Sequence, residues 1–116
     1  MDIEKIWEYC SLKNGVFESF PFDTKTLVFK VGNKIFALIN VEDFKSINLK
    51  CDPEKAIELR EQFIGVIPGY HMNKKHWNTV LMNEDITDKH LLELIDHSYQ
   101  LVFNSLTKKI KDGLSF

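Results

Sequence analysis

The residues best equipped for chemistry stand in one short run, PGYHMNKKHWNTV at 68–80. Tyr70 and Trp77 bring ring faces, His71 and His76 imidazoles, Lys74 and Lys75 adjacent cations, and Asn73 and Asn78 amides. No acid interrupts the run. Such a set suits a nucleic-acid backbone, because ammonium groups neutralise phosphates, rings stack on bases and amides hydrogen-bond. Lys50 is a further cation that can join the cluster. Each residue also has a plainer use. An indole is usually mostly buried, so Trp77 is expected to pack under a sheet; Asn and His side chains tie down irregular turns, and lysines stay in water.

Metal chemistry finds less support. His71 and His76 are five apart, which fits neither the helical i, i+4 pair nor a zinc pattern, and no third ligand is close in sequence. His90 and His97 are seven apart with Glu93 between them, and adding Cys51 would require several coincidences of folding. Cys51 and Ser98 are the candidate nucleophiles, yet neither sits in a signature such as G-x-S-x-G. Cys51 alternates with Ile47 and Leu49, as a core residue does. His97, Ser98 and Tyr99 are consecutive on a helix and point about 100° apart, so adjacency makes no triad of them. The patterns assign no catalytic residue, metal ligand or cofactor, and a non-enzymatic protein is the expectation.

The elements that must position the run can be read from periodicity. Ile3, Ile6, Trp7 and Cys10 form the stripe of an amphipathic helix, which Asn14-Gly15 stops. VFESF suggests a short strand. TLVFKVGNKIFALIN at 26–40 reads as a hairpin about Gly32-Asn33, in a type II′ or I′ turn. In that register Phe29 faces Phe36 and Leu27 faces Leu38 on the core side. Val28, Lys30, Ile35, Ala37 and Ile39 then form an unusually apolar outer face, which a partner or a terminal helix or loop must cover. SINLKC at 46–51 alternates as a half-buried strand. Asp52-Pro53 opens a helix with an inner stripe of Ala56, Leu59, the Arg60 stem and Phe63, and Gly65 closes it. HWNTVLM can enter the sheet as a strand, and Thr87 caps the last helix, with Leu91, Leu94, Ile95, Val102 and Leu106 on its apolar face. The tail KKIKDGLSF reads as basic, then flexible.

A chain of 116 residues with 44% hydrophobic and 28% charged residues is ordinary for one soluble domain, here taken as 1–116. Nine Phe, three Tyr and two Trp supply core volume without a disulfide or structural metal. Cys10 and Cys51 read as reduced thiols, and the absence of an apolar span or signal-peptide pattern predicts a cytoplasmic protein that does not enter the membrane. A net charge of −2 excludes a generally basic nucleic-acid binder, so any such role must rest on a local patch. The expected architecture is α+β, a two-layer sandwich with helices on one face of a mainly antiparallel sheet, in the order α-β-β-β-α-β-α, with one more short strand allowed.

FPF at 20–22, TLVFKVGNKIFAL at 26–38, NLKCDPEKAIELRE at 48–61, PGYHMNKKHWNTV at 68–80 and LIDHSY at 94–99 resemble the MmcQ/YjbR family over about the whole chain. The resemblance implies a fold similar to the frataxin-like and type III secretion chaperone-like arrangements. It also implies DNA binding with a "double wing". A frataxin-like iron surface would need an acidic ridge on the first helix, and Asp2, Glu4 and Glu8 make only a thin one. The reading is therefore a monomeric DNA-binding protein that uses Lys50, Tyr70, His71, Asn73, Lys74, Lys75, His76 and Asn78. The alternative is a chaperone-like protein- or peptide-binding module that uses the apolar outer face of the 26–40 hairpin.

Overall fold

A computed structural model describes residues 1–69 and 72–114. The elements are α1 (Ile3–Ser11), β1 (Val16–Ser19), β2 (Thr26–Val31), β3 (Lys34–Asn40), β4 (Ser46–Lys50), α2 (Pro53–Gln62), β5 (Val66–Pro68), β6 (Trp77–Leu81), α3 (Asp88–Ser105) and α4 (Lys108–Gly113). The fold is α+β. Six strands lie in the order β1-β2-β3-β4-β6-β5, and every neighbouring pair is antiparallel. The observed order is fuller than the expected one by β5, a fourth strand before α2 and α4. The tail at 108–113 is helical, with Thr107 Oγ1 accepting the Ile110 N–H. Among the described residues no helix is long and apolar enough to cross a membrane.

Helix starts follow their local chemistry. Asp2, Asp52, Thr87 and Thr107 each accept an N–H of the first turn, and Pro53 sits where a missing N–H costs nothing. Ile6 and Cys10 of α1, Ala56 and Leu59 of α2, and Leu91, Leu94, Ile95 and Val102 of α3 pack on one face of the sheet. That face presents Leu27, Phe29, Val31, Phe36, Ala37, Ile39, Ile47, Leu49 and Val80.

The hairpin turn is type I′, since Gly32 and Asn33 both have positive φ, at 56° and 65°. The ladder then departs from the expected register. Val31 pairs with Lys34 and Lys30 with Ile35, but Phe29 pairs with Ala37 and Leu27 with Ile39. Phe36 is the extra residue of a β-bulge, and both it and Ala37 join the helix-side core. The bulge is anchored by Ser98 of α3, whose hydroxyl donates to the Phe36 carbonyl at 2.5 Å and accepts the Lys50 N–H at 2.9 Å. The Phe36 ring also meets Tyr99 edge-on at 5.3 Å. The predicted outer face is corrected accordingly: Ala37 and Ile39 turn inward, and Val28, Lys30, Ile35 and Leu38 lie on the side away from the helices, where Val28 and Leu38 are nonetheless buried.

The sheet ends differently at its two rims. At β5, the Gly65 carbonyl accepts the Leu81 N–H and the Gly69 N–H donates to the Trp77 carbonyl, so these residues turn their polar groups toward β6. The alternate residues Val66 and Pro68 direct theirs outward. The Val66 N–H is already bound to the Phe63 carbonyl, and Pro68 has no N–H.

Candidate functional site

β4 and β6 are central to the open face. Ile47 and Leu49 point to the helices, so Ser46, Asn48 and Lys50 point away from them. Across the ladder Val80 and Asn78 face the helices, which leaves Trp77, Thr79 and Leu81 on the open side. Two pairs therefore stand side by side there, Lys50 with Trp77 and Asn48 with Thr79. Trp77 is half-buried and lies outside the core cluster. The expectation that it packs under the sheet is corrected. The parity of β6 is set instead by Val80 and Asn78.

Asn78 is 2% exposed, and its Oδ1 accepts from Arg60 Nε of α2 at 2.6 Å. Its side chain thus sits between sheet and helix, away from any surface ligand, and it leaves the predicted binding set. The same Arg60 donates to the Trp77 carbonyl at 3.2 Å and to the Lys74 carbonyl. Asn73 Oδ1 accepts the Lys75 N–H at 2.9 Å, and the Asn73 carbonyl accepts the Trp77 N–H at 2.9 Å. The His76 carbonyl accepts the Cys51 N–H at 2.7 Å, which ties the loop to the end of β4. Lys74 and Lys75 are exposed, and His76 is half-buried. Lys50, Lys74 and Lys75 take part in none of the ion pairs formed among the described residues. The structure thus gathers Lys50, Asn73, Lys74, Lys75 and His76 at one end of the sheet. Tyr70 and His71 lie outside the described residues.

Beside this end the open face sinks into a cleft of about 590 Å³. Leu38, Asn48 and Thr79 come from the sheet, and Phe22 and Met72 from the flanking loops. The Thr79 hydroxyl donates to Asn48 Oδ1 at 2.5 Å, while the Asn48 amide nitrogen has no protein partner among the described residues. Asp43 and Lys45 contribute opposite charges to the lining. Phe22 is 67% exposed. A volume of this size, mostly apolar with a few placed polar groups, is typical of a ligand site. Sequence reasoning missed Arg60 as the loop's anchor and missed the cleft. The available signal was FPF at 20–22, three residues whose apolar rings have no periodic place in the core.

The candidate nucleophiles are structural. Ser98 is fully buried with its hydroxyl doubly engaged, and burial pushes the Cys51 thiol up to about 11 and the Cys10 thiol up to about 12. His97 Nε2 accepts the Asp52 N–H at 3.2 Å at the start of α2, and burial lowers its pKa. His90 packs its ring edge-on against Phe63 at 4.9 Å. Among the described residues no three His, Cys, Asp or Glu side chains come close enough to share a metal ion.

Comparison with known proteins places this architecture. The crystal structure of Deinococcus radiodurans protein DR2400 superimposes with a TM-score of 0.86 at 37% identity, covering 96% of this chain and 86% of that one. The uncharacterized protein YjbR of Escherichia coli K12 is 36% identical over 110 residues, 94% of this chain and 93% of its own. The uncharacterized protein YbdF of Escherichia coli O157:H7 is 42% identical over 91 residues, 78% of this chain and 75% of its own. The YjbR family model matches residues 12–101, a span that runs from the end of α1 through the bulge, the cleft and the Arg60-held loop into α3, and the chain belongs to the YjbR family.

Proposed function

We propose that this protein binds single-stranded nucleic acid along the open face of its sheet, at the end formed by β4, β6 and the 72–77 loop. The observation that carries the reading is the Lys50–Trp77 pair: a cation and a half-buried indole are direct neighbours on a sheet face that, among the described residues, no helix covers. Lys74 and Lys75 extend the positive charge from an anchored turn, and the acids of α2, Glu54, Glu58 and Glu61, belong to the other layer. Lysines that follow a backbone beside an aromatic ring that stacks on bases are the recurring parts of single-strand recognition. A duplex is a poorer fit, because among the described residues no helix projects from this face to enter a major groove. The net charge of −2 keeps affinity modest.

The test is a titration of labelled oligothymidylate, oligoadenylate and a duplex at increasing salt. Three lysine contacts give a log–log slope of about −2 on single strands, at roughly −0.7 per phosphate. The double variant Lys74→Ala, Lys75→Ala removes about two-thirds of that slope and leaves the fold intact. Failure of any nucleic acid to bind at low salt defeats the reading.

A second reading has its own support. Phe22, Ile35, Leu38 and Met72 make the cleft beside the lysines largely apolar, as a site for an extended peptide would be. Salt-insensitive binding of apolar peptides, without nucleic-acid binding, would favour it.

A further inference from the structure

We propose that the cleft beside the Lys50–Trp77 pair receives one unstacked base of the bound strand, with the Asn48 amide donating to its edge. This deepens the nucleic-acid reading and rests on it. Asn48–Thr79 is the next pair on the same face after Lys50–Trp77, and two residues along a strand advance about 6.8 Å. That stride is comparable to the separation of successive bases in a strand drawn out of its stack. A base stacked on Trp77 thus leaves its neighbour over the cleft.

The lining favours a base over a phosphate. Leu38, Phe22 and Met72 offer apolar and aromatic contact to a flat ring. Among the described lining residues Asp43 and Lys45 offset each other and supply no net positive charge to hold a phosphate, whereas Lys50, Lys74 and Lys75 stand outside the cleft. The Thr79 hydroxyl occupies Asn48 Oδ1 and fixes the amide plane, which leaves the amide NH₂ as a donor beside the apolar lining. A donor in that position suits the carbonyl edge of thymine or uracil, whereas the bidentate pairing of an Asn amide with adenine also needs Oδ1, which Thr79 already engages.

The experiment is an NMR titration of ¹⁵N- and methyl-labelled protein carrying Trp7→Phe, so that Trp77 supplies the indole signal. The probes are a short oligothymidylate, its abasic counterpart, oligoadenylate and an extended apolar peptide. Oligothymidylate is expected to shift the Trp77 indole, the Asn48 side-chain amide and the Met72 methyl together. The abasic strand should leave the last two in place. Phe22→Ala, at a largely exposed ring that folding does not require, should weaken oligothymidylate roughly tenfold, the loss expected for one stacked base, and leave the abasic strand unchanged. Oligothymidylate binding that moves Trp77 but neither Asn48 nor Met72 overturns the base site while the nucleic-acid reading stands. Equal Asn48 shifts with oligoadenylate overturn the selection by carbonyl. Shifts from the peptide, with none from any strand, overturn both.

Discussion

Ser98 Oγ lies 2.5 Å from the Phe36 carbonyl, in a place where no water reaches. This hydroxyl from α3 completes a ladder that the bulge in β3 interrupts, since it also takes the Lys50 N–H. Ser98→Ala leaves a buried donor and a buried acceptor without their partner, so urea unfolding should show a loss of about 1–3 kcal/mol. Ser98→Thr, which keeps the hydroxyl but adds a methyl group to a full core, should lose less than a bulky apolar residue there. A stability equal to wild type in Ser98→Ala would show that the bulge does not need this anchor.

Gly32 makes a sharper test of the turn. Its φ is +56°, and a Cβ would lie 2.6 Å from Leu106 Cδ1, against the junction of α3 and α4. Gly32→Ala therefore meets both left-handed strain and a clash, and should cost about 2 kcal/mol or more. Asn33→Gly, at the neighbouring left-handed position, should be nearly neutral by the same measurement.

His97 predicts a pH dependence. As the neutral ring it accepts the Asp52 N–H, and burial and Lys55 lower its pKa while Asp52 opposes them. The unfolded chain therefore binds the proton more readily than the folded one. The stability linked to His97 is fully present above its ordinary value of about 6.5 and is lost as pH falls through the lower folded value. His97→Gln, which can keep an acceptor there, should flatten the thermal-midpoint profile between neutral pH and the carboxylate range. Asp85, whose carboxylate holds the Gly65 and Ile64 N–H groups, has its pKa lowered by those bonds and acts in a separate, more acid window.

Trp77 and Arg60 should respond in opposite ways. Trp77→Ala removes a half-exposed ring from the open face, so its cost should be about 1–2 kcal/mol, well below that of a core indole, while single-strand binding falls. Arg60→Lys keeps the charge but cannot reproduce the guanidinium's three contacts to Asn78, Trp77 and Lys74. Hydrogen exchange of the 72–77 amides should accelerate in Arg60→Lys and stay near wild type in Trp77→Ala. The reverse pattern would mean that the indole, rather than the guanidinium, holds the loop.

Much of this was written in local sequence. Gly32-Asn33 between two β-rich runs can hardly be anything but a hairpin, and Asp52-Pro53 and Thr87 start their helices for reasons visible within four residues. The bulge was not legible, because its anchor is a serine 62 residues away. Nor was the side on which Trp77 lies. In WNTVL the inward pair is Asn78 and Val80, and an amide in a core position makes sense only once Arg60 of another element is known to meet it. β5 is three residues long and ends in proline, too little to show a period. In the candidate site, the lysines and the loop were legible from composition. The cleft was not, because it joins FPF to strands that lie far along the chain.

The rim at β5 has one more consequence. With the Val66 N–H already bound and none on Pro68, the outward side of that strand has no donor to give a newcomer. A strand of another copy laid along this rim would find carbonyl acceptors but no donors, and so could form only half of a ladder. The fold thus discourages edge-to-edge growth at that border, through a device encoded in a three-residue strand.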